Sequence, residues 1–173
     1  DLVSEEQRPD SLQDLIDSKW KGRVGIAKPL FGTTATHASV LFSLWGRERA
    51  EEFFGQLKRN ARVMSGNKQV ALSVARGDLA FGLTDTDDAI IELEGGQPVT
   101  MVYPDQGEGQ MGTLFIPNTL CIIKGCPHPE AARELVDYLL GPKVERQLAL
   151  GPSAQFPVSS DATQTSRAAP DQP

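Results

Sequence analysis

Residues 23–46 read RVGIAKPLFGTTATHASVLFSLWG, and this stretch sets the fold class. Arg23 to Ala27 is a short apolar run of strand type, and Lys28 to Thr36 is a Pro/Gly/Thr loop. From His37 to Trp45 the apolar residues Val40, Leu41 and Leu44 fall at helical spacing and stop at Gly46. The theme then repeats. A helix with Ala50, Phe53, Phe54 and Leu57 on one stripe leads to a strand over 61–64, the loop Ser65-Gly66-Asn67, and a helix with Val70, Ala71 and Val74 inside, closed by Gly77. Asp78 to Leu83 reads as a third strand, Thr84 to Asp88 as loop and first turn, and Ala89, Ile90 and Leu93 as the next helix face. Strands alternating with helices predict an α/β fold, a mainly parallel sheet flanked by helices.

Outward from this centre the texture changes. Residues 1–21 are polar apart from a short amphipathic piece at Leu12, Leu15 and Ile16. Beyond Gly96, Val99 to Tyr103 reads as a strand, Pro104 to Gly112 as a loop, and Thr113 to Lys124 as a longer strand that Pro117 interrupts. Pro129 opens a helix with Ala132, Leu135, Val136, Leu139 and Leu140 on one face, and Gly141-Pro142 ends it before a shorter helix to Leu150. From Ser159 the Ser/Thr/Ala/Asp/Gln/Pro composition predicts a disordered tail over 159–173.

Composition removes several classes. With 173 residues and 39% of them apolar, the chain can bury a real core. Its net charge of -6 and scattered basic residues argue against nucleic acid or an anionic membrane surface as partner. No apolar run approaches the roughly 20 residues that span a bilayer. Cys121 and Cys126 leave the redox compartment open, and without nearby histidines they make no zinc site. His37, His128, Tyr103 and Tyr138 read as structural or solvated side chains, and no cofactor is implied.

The chemistry falls on the loops. In an open α/β sheet, the loops that leave the carboxyl ends of strands and enter helices share one rim, where ligands bind. Gly32, Thr33, Thr34, Ala35 and Thr36 supply hydroxyls and free helix amides, and Ser65-Gly66-Asn67 supplies more, a setting that takes up anions. A plain helix cap is the simpler role for Asn67. Asp85, Thr86, Asp87 and Asp88 bring three carboxylates to one helix start, more than capping needs; ionised carboxylates accept only, so a ligand facing them must offer hydroxyls, an ammonium or a metal ion. The rim suits a ligand with an anionic end and a donor-rich end, provided Thr33 and Asp87 lie on one side of the molecule.

An enzyme reading uses the same residues. Phe81 to Asp87, an apolar strand followed by Asp-x-Asp, resembles the nucleophile loop of magnesium-dependent haloacid-dehalogenase-type phosphatases, with Asp85 as nucleophile; the downstream lysine and paired acids of that family have no counterpart here. Serine and cysteine nucleophile patterns are absent.

An ordered series of short motifs resembles a different family. Ser11-Leu12-Gln13-Asp14-Leu15, Trp20-Lys21-Gly22-Arg23-Val24, Pro29-Leu30-Phe31-Gly32-Thr33-Thr34, Gly66-Asn67, Gly82 to Ala89, Tyr103-Pro104-Asp105-Gln106, Ile116-Pro117-Asn118-Thr119 and Pro129-Glu130-Ala131-Ala132 look like the extracellular solute-binding proteins of ABC importers, in the branch of the ferric-iron-binding proteins. The likeness covers about residues 8–158. It implies a type II periplasmic-binding-protein fold that closes on its ligand by a hinge, periplasmic or extracytoplasmic work, no catalysis, and an ABC permease as partner. It also implies that this chain is the carboxy-terminal portion. Residues 22–98 would be the second, ligand-binding lobe, and 1–21 with 99–158 hinge-crossing segments and the remainder of a partly missing first lobe. Half a cleft would bind weakly.

Carried over residue by residue, the family's anion-holding loop falls on Gly32, Thr33 and Thr34, its polar helix-cap contact on Asn67, and a polar anion contact on Asp85. The adjacent tyrosines that ligate ferric iron are matched by Asp87 and Asp88. Phenolates suit ferric iron, whereas carboxylates suit hydroxyls or an amine, so an organic phosphate such as a sugar phosphate, or a phosphonate, is the expected solute, with ferric iron or another metal ion the alternative.

Overall fold

The computed structural model describes residues 2–159 and 164–169. They divide into two compact units, residues 1–115 and 116–173.

In the first unit three parallel strands, β1 (Val24–Ala27), β2 (Arg62–Met64) and β3 (Phe81–Leu83), form one sheet in the order β2-β1-β3. β1 lies in the middle, with Gly25 opposite Arg62 on one side and opposite Gly82 on the other. α1 (Gly32–Trp45) and α2 (Arg47–Asn60) join β1 to β2, α3 (Asn67–Ala75) joins β2 to β3, and α4 (Thr86–Glu94) follows β3.

Alternation along β1 divides the helices between the two faces. Val24 and Ile26 pack with Leu41 of α1, Phe53 and Leu57 of α2, and Leu12, Leu15 and Trp20 from short 3-10 turns at Leu12–Ile16 and Ser18–Trp20. Gly25 turns to the opposite face, where a Cβ would stand 2.6 Å from Leu79 Cδ1 and 3.3 Å from Val70 Cγ1. α3 therefore lies flush on the sheet, closer than any side chain on the strand would permit. The amino-terminal turns are pinned by Asn60 at the end of α2, whose Nδ2 donates to Leu15 O at 2.8 Å and Asp17 O at 3.0 Å. From further along the chain, buried Asp105 accepts from Ser11 Oγ at 2.6 Å and holds a left-handed backbone at φ 61°.

Two expectations need correction here. α1 begins at Gly32, five residues before the expected start at His37, so Gly32 to Thr36 form the first helical turn rather than a loop. Extended Phe31 has already completed the change of direction, and side-chain bonds described below hold the β-branched threonines in the helix. Val99 to Tyr103 and Thr113 to Lys124 belong to no ladder among the described residues. Strand composition makes a strand only where a second backbone edge lies alongside.

In the second unit, α5 (Pro129–Leu139) and α6 (Pro142–Leu150) follow the expected boundaries, each with Pro in its first turn. Cys121 and Cys126 are both free thiols. Part of the expected tail, 160–163 and 170–173, lies outside the described residues. Within it, Ser166 and Ala168 are buried, with Ser166 Oγ donating to Ala154 O, and Arg167 donating to the carbonyls of Leu150 at 3.0 Å and Gly151 at 3.1 Å at the end of α6. Free helix-terminal carbonyls are ready acceptors for such a guanidinium. No described helix is long and apolar enough to cross a membrane.

Candidate functional site

Three helix N-termini meet at the carboxyl edge of the sheet because each strand ends there and hands the chain to α1, α3 or α4. Side chains from all three are bonded to one another. Thr33 in the first turn of α1 places Oγ1 at 2.8 Å and 3.1 Å from the two carboxylate oxygens of Asp85, the residue before α4. Asn67, the first residue of α3, donates from Nδ2 to Thr33 Oγ1 at 2.8 Å and to Asp85 Oδ2 at 2.6 Å. Its carbonyl oxygen Oδ1 accepts from Thr34 Oγ1 at 3.2 Å, and its backbone carbonyl from Thr84 Oγ1 at 2.9 Å.

The network assigns most of the expected residues a place. Asn67 is not a cap: Gly66 holds that position and makes no side-chain bond, while the Asn67 amide bridges the first and third segments. Asp85 stands at the cap position of α4 without capping it, its carboxylate given instead to Thr33 and Asn67. Thr34 is buried and turned inward. Thr36 is exposed and donates to Gly32 O within its own helix, apart from the network. Gly32, at φ 66°, has open space where a Cβ would stand, so nothing screens the start of α1 on that side.

Asp85, Asp87 and Asp88 can bring one carboxylate oxygen each within 4.8 Å of the others, and all three are half-buried. Burial pushes the Asp88 carboxyl above its ordinary value, and the negative charges of Asp87 and Asp85 push it further; Lys68 opposes them and Glu92 adds to them. Thr86, between these acids, is half-buried. The site thus has two characters. Amide-rich helix starts at α1 and α3 carry partial positive charge, and beside them Asp87 and Asp88 concentrate acceptors.

Sequence reasoning omitted Thr84, which sits in the same Thr84-Asp85-Thr86 string and ties β3's exit to α3. No local pattern announces it, because its acceptor, the Asn67 carbonyl, lies 17 residues away in sequence. Thr33 and Asp87 lie on one side of the molecule, since Thr33 is bonded to Asp85 and Asp85 clusters with Asp87.

A family model described as bacterial extracellular solute-binding protein matches residues 1–173. A Salmonella typhi protein named "Putative 2-aminoethylphosphonate-binding periplasmic protein" is 26% identical over 159 residues, 90% of this chain and 47% of the relative. Among solved structures, the periplasmic binding protein AfuA of Actinobacillus pleuropneumoniae, with exogenous fructose-6-phosphate bound, is 26% identical with a TM-score of 0.70, covering 95% of this chain and 50% of AfuA. Iron-bound HitA of Pseudomonas aeruginosa has a TM-score of 0.76 at 22% identity, over 97% of this chain and 54% of HitA. The chain spans about half the length of the relatives it matches. Its fold is that of type II periplasmic binding proteins.

Proposed function

The chain belongs to the bacterial extracellular solute-binding protein family, and from that premise we propose that its linked helix starts hold the anionic group of a small organic phosphate or phosphonate. The family consists of transport binding proteins rather than enzymes and works outside the cytoplasm. The ligand would be taken up for delivery to the membrane subunits of an ABC importer, with no bond made or broken. Gly32 and Thr33 on α1 and Asn67 on α3 would form the anion end, with Thr34 turned inward behind them and Thr36 bonded within its own helix. Asp85, Thr86, Asp87 and Asp88 form the donor-seeking end, which an ammonium or sugar hydroxyls would satisfy.

The observation that carries this reading is the pair of bonds from Asn67 Nδ2 to Thr33 Oγ1 and Asp85 Oδ2. They fix the helix starts relative to one another, so partial positive charge and carboxylates face the same space at a fixed spacing. A relative named for 2-aminoethylphosphonate and a neighbour solved with fructose-6-phosphate carry ligands of this two-ended kind. The phosphatase reading draws no support from the family, which consists of transport binding proteins.

A cation at Asp85, Asp87 and Asp88 is the second reading, favoured by their mutual approach within 4.8 Å. Amide chemical shifts separate the two. Titration with 2-aminoethylphosphonate or fructose-6-phosphate is expected to move the amides of Gly32, Thr33, Asn67 and Thr86 in one saturable event. Shifts confined to Asp87 and Asp88 on adding ferric iron or calcium, with no response to either phosphorus ligand, would replace this proposal by the cation reading.

A further inference from the structure

The end of α1 is tied through sulfur to the loop over 104–112. The indole Nε1–H of Trp45, the last residue of α1, donates to Met111 Sδ at 3.0 Å, across 66 residues of sequence. Other contacts fix the indole: its ring meets Phe53 edge-on at 5.2 Å, and the Arg49 guanidinium lies 4.7 Å from its centre. A cation over the ring draws electron density from the indole and makes its N–H a stronger donor. A thioether is a weak acceptor. A good donor therefore faces a poor partner.

Met111 is also the most exposed of the three methionines, at 44%, whereas Met64 and Met101 are half-buried. The family works outside the cytoplasm, where conditions are oxidising. The loop does not depend on the thioether for its own shape. Gly112 N donates to Asp105 O at 2.9 Å, Gln106 Nε2 to Thr113 Oγ1 at 2.8 Å, and Gly107 N to Gln110 Oε1 at 2.6 Å. A change of polarity at Met111 leaves these bonds in place and acts on the contact with Trp45.

We propose that Met111 is a site of oxidation by peroxide to methionine sulfoxide, and that the new oxygen takes over the Trp45 N–H bond from the sulfur. A sulfur lone pair attacks one peroxide oxygen, the S–O bond forms as the O–O bond breaks, and the departing hydroxide takes the proton of the transferred oxygen and leaves as water. Sulfur is oxidised and the peroxide reduced, so no further reactant is needed. The sulfoxide oxygen carries negative charge that the thioether lacks, and it is a better acceptor for the polarised indole. An unbranched side chain lets the oxidised group turn toward the indole. Oxidation thus tightens the tie between the loop and α1, the helix whose opposite end carries Thr33. The inference is independent of the solute, since neither Trp45 nor Met111 belongs to the proposed ligand-holding set.

The experiment treats the 173-residue chain with hydrogen peroxide and follows it by peptide-mapping mass spectrometry and by the indole N–H resonances of Trp20 and Trp45. The Met111 peptide is expected to gain one oxygen to completion before the Met64 or Met101 peptide is half oxidised. In step with it, the Trp45 indole proton is expected to move downfield, as a stronger acceptor requires. Trp20, whose Nε1 is buried without a hydrogen-bond partner among the described residues, should stay in place. In Met111→Leu, which keeps the side-chain volume, peroxide should leave the Trp45 resonance unmoved. The proposal fails if Met64 or Met101 is oxidised as fast as Met111. It also fails if the Trp45 proton stays put in the wild-type chain or moves to its position in Met111→Leu, because the sulfoxide then does not accept from it. If Met111→Leu does not fold, the order of oxidation and the direction of the wild-type shift still decide.

Discussion

Thr33 Oγ1 stands 2.8 Å from Asp85 Oδ1, a contact spanning 52 residues of sequence that draws the first turn of α1 to the start of α4. Asp85 also accepts from Asn67 at 2.6 Å. Asp85→Ala removes both acceptors and leaves a half-buried amide and hydroxyl without their partner. It is expected to cost about 1–2 kcal/mol, read as a lower midpoint in urea denaturation. Asp85→Asn, which keeps one oxygen, should cost less. An unchanged midpoint for Asp85→Ala would mean that these bonds do not hold the rim.

Asp88 gives the rim a pH signature. Burial first, then the charges of Asp87 and Asp85, hold its folded pKa above the ordinary 3.8. A carboxyl raised on folding binds its proton more tightly in the native state, so native stability falls as pH rises from 3.8 through the folded value and stays reduced above it. Asp88→Asn removes that penalty. The variant is expected to melt higher than wild type at neutral pH, with the difference shrinking as the pH approaches 3.8. A constant difference across that range in thermal melts would show that charge at Asp88 is not what the variant relieves.

Asp105 holds the amino-terminal turns. Its buried carboxylate accepts from Ser11 Oγ at 2.6 Å and from Leu12 N at 3.4 Å, at the start of the Leu12–Ile16 turn that places Leu12 and Leu15 in the core. Asp also tolerates the left-handed backbone at φ 61° better than most residues. Asp105→Ala loses the acceptor and strains the backbone, with an expected loss of about 2 kcal/mol. Asp105→Asn keeps an acceptor and the conformational tolerance, and should recover roughly half of it. Equal losses in calorimetry would leave the hydrogen bonds without a part.

Hydrophobic spacing was enough to find every helix from α1 to α6 and the three strands of the sheet, because their apolar residues fall at the period of the element, although the first turn of α1 was missed. It failed at Val99 to Tyr103 and Thr113 to Lys124, where the composition is right but no strand among the described residues pairs with them. The site residues were legible as types, as hydroxyls, an amide and acids at helix starts. Their bonding was not, since Asn67 at a helix start reads locally as a cap and only the fold brings Thr33 and Asp85 within its reach. Gly25 and Gly82 escaped for the same reason. Each looks like a weak point within its own strand, and the need for it comes from α3 lying across both.

That need is testable. A Cβ on Gly82 would overlap Val70 Cγ1 and come within 2.9 Å of Gly25 O, so Gly82→Ala must push either α3 or the neighbouring strand outward. Overpacking of this kind typically costs about 1–3 kcal/mol. Val70 is fully buried, so Val70→Ala alone leaves a cavity and should also destabilise, by about 1–2 kcal/mol. In the double variant, removal of the two valine methyls makes room for the new Cβ at that face. It should be more stable than the sum of the single losses predicts, by about 1 kcal/mol of favourable coupling. The backbone contact with Gly25 O is not relieved, so recovery is partial. Strict additivity in a double-mutant cycle measured by urea denaturation would show that Val70 does not set the requirement for glycine at position 82, and that the sheet can accept a side chain there by moving as a whole.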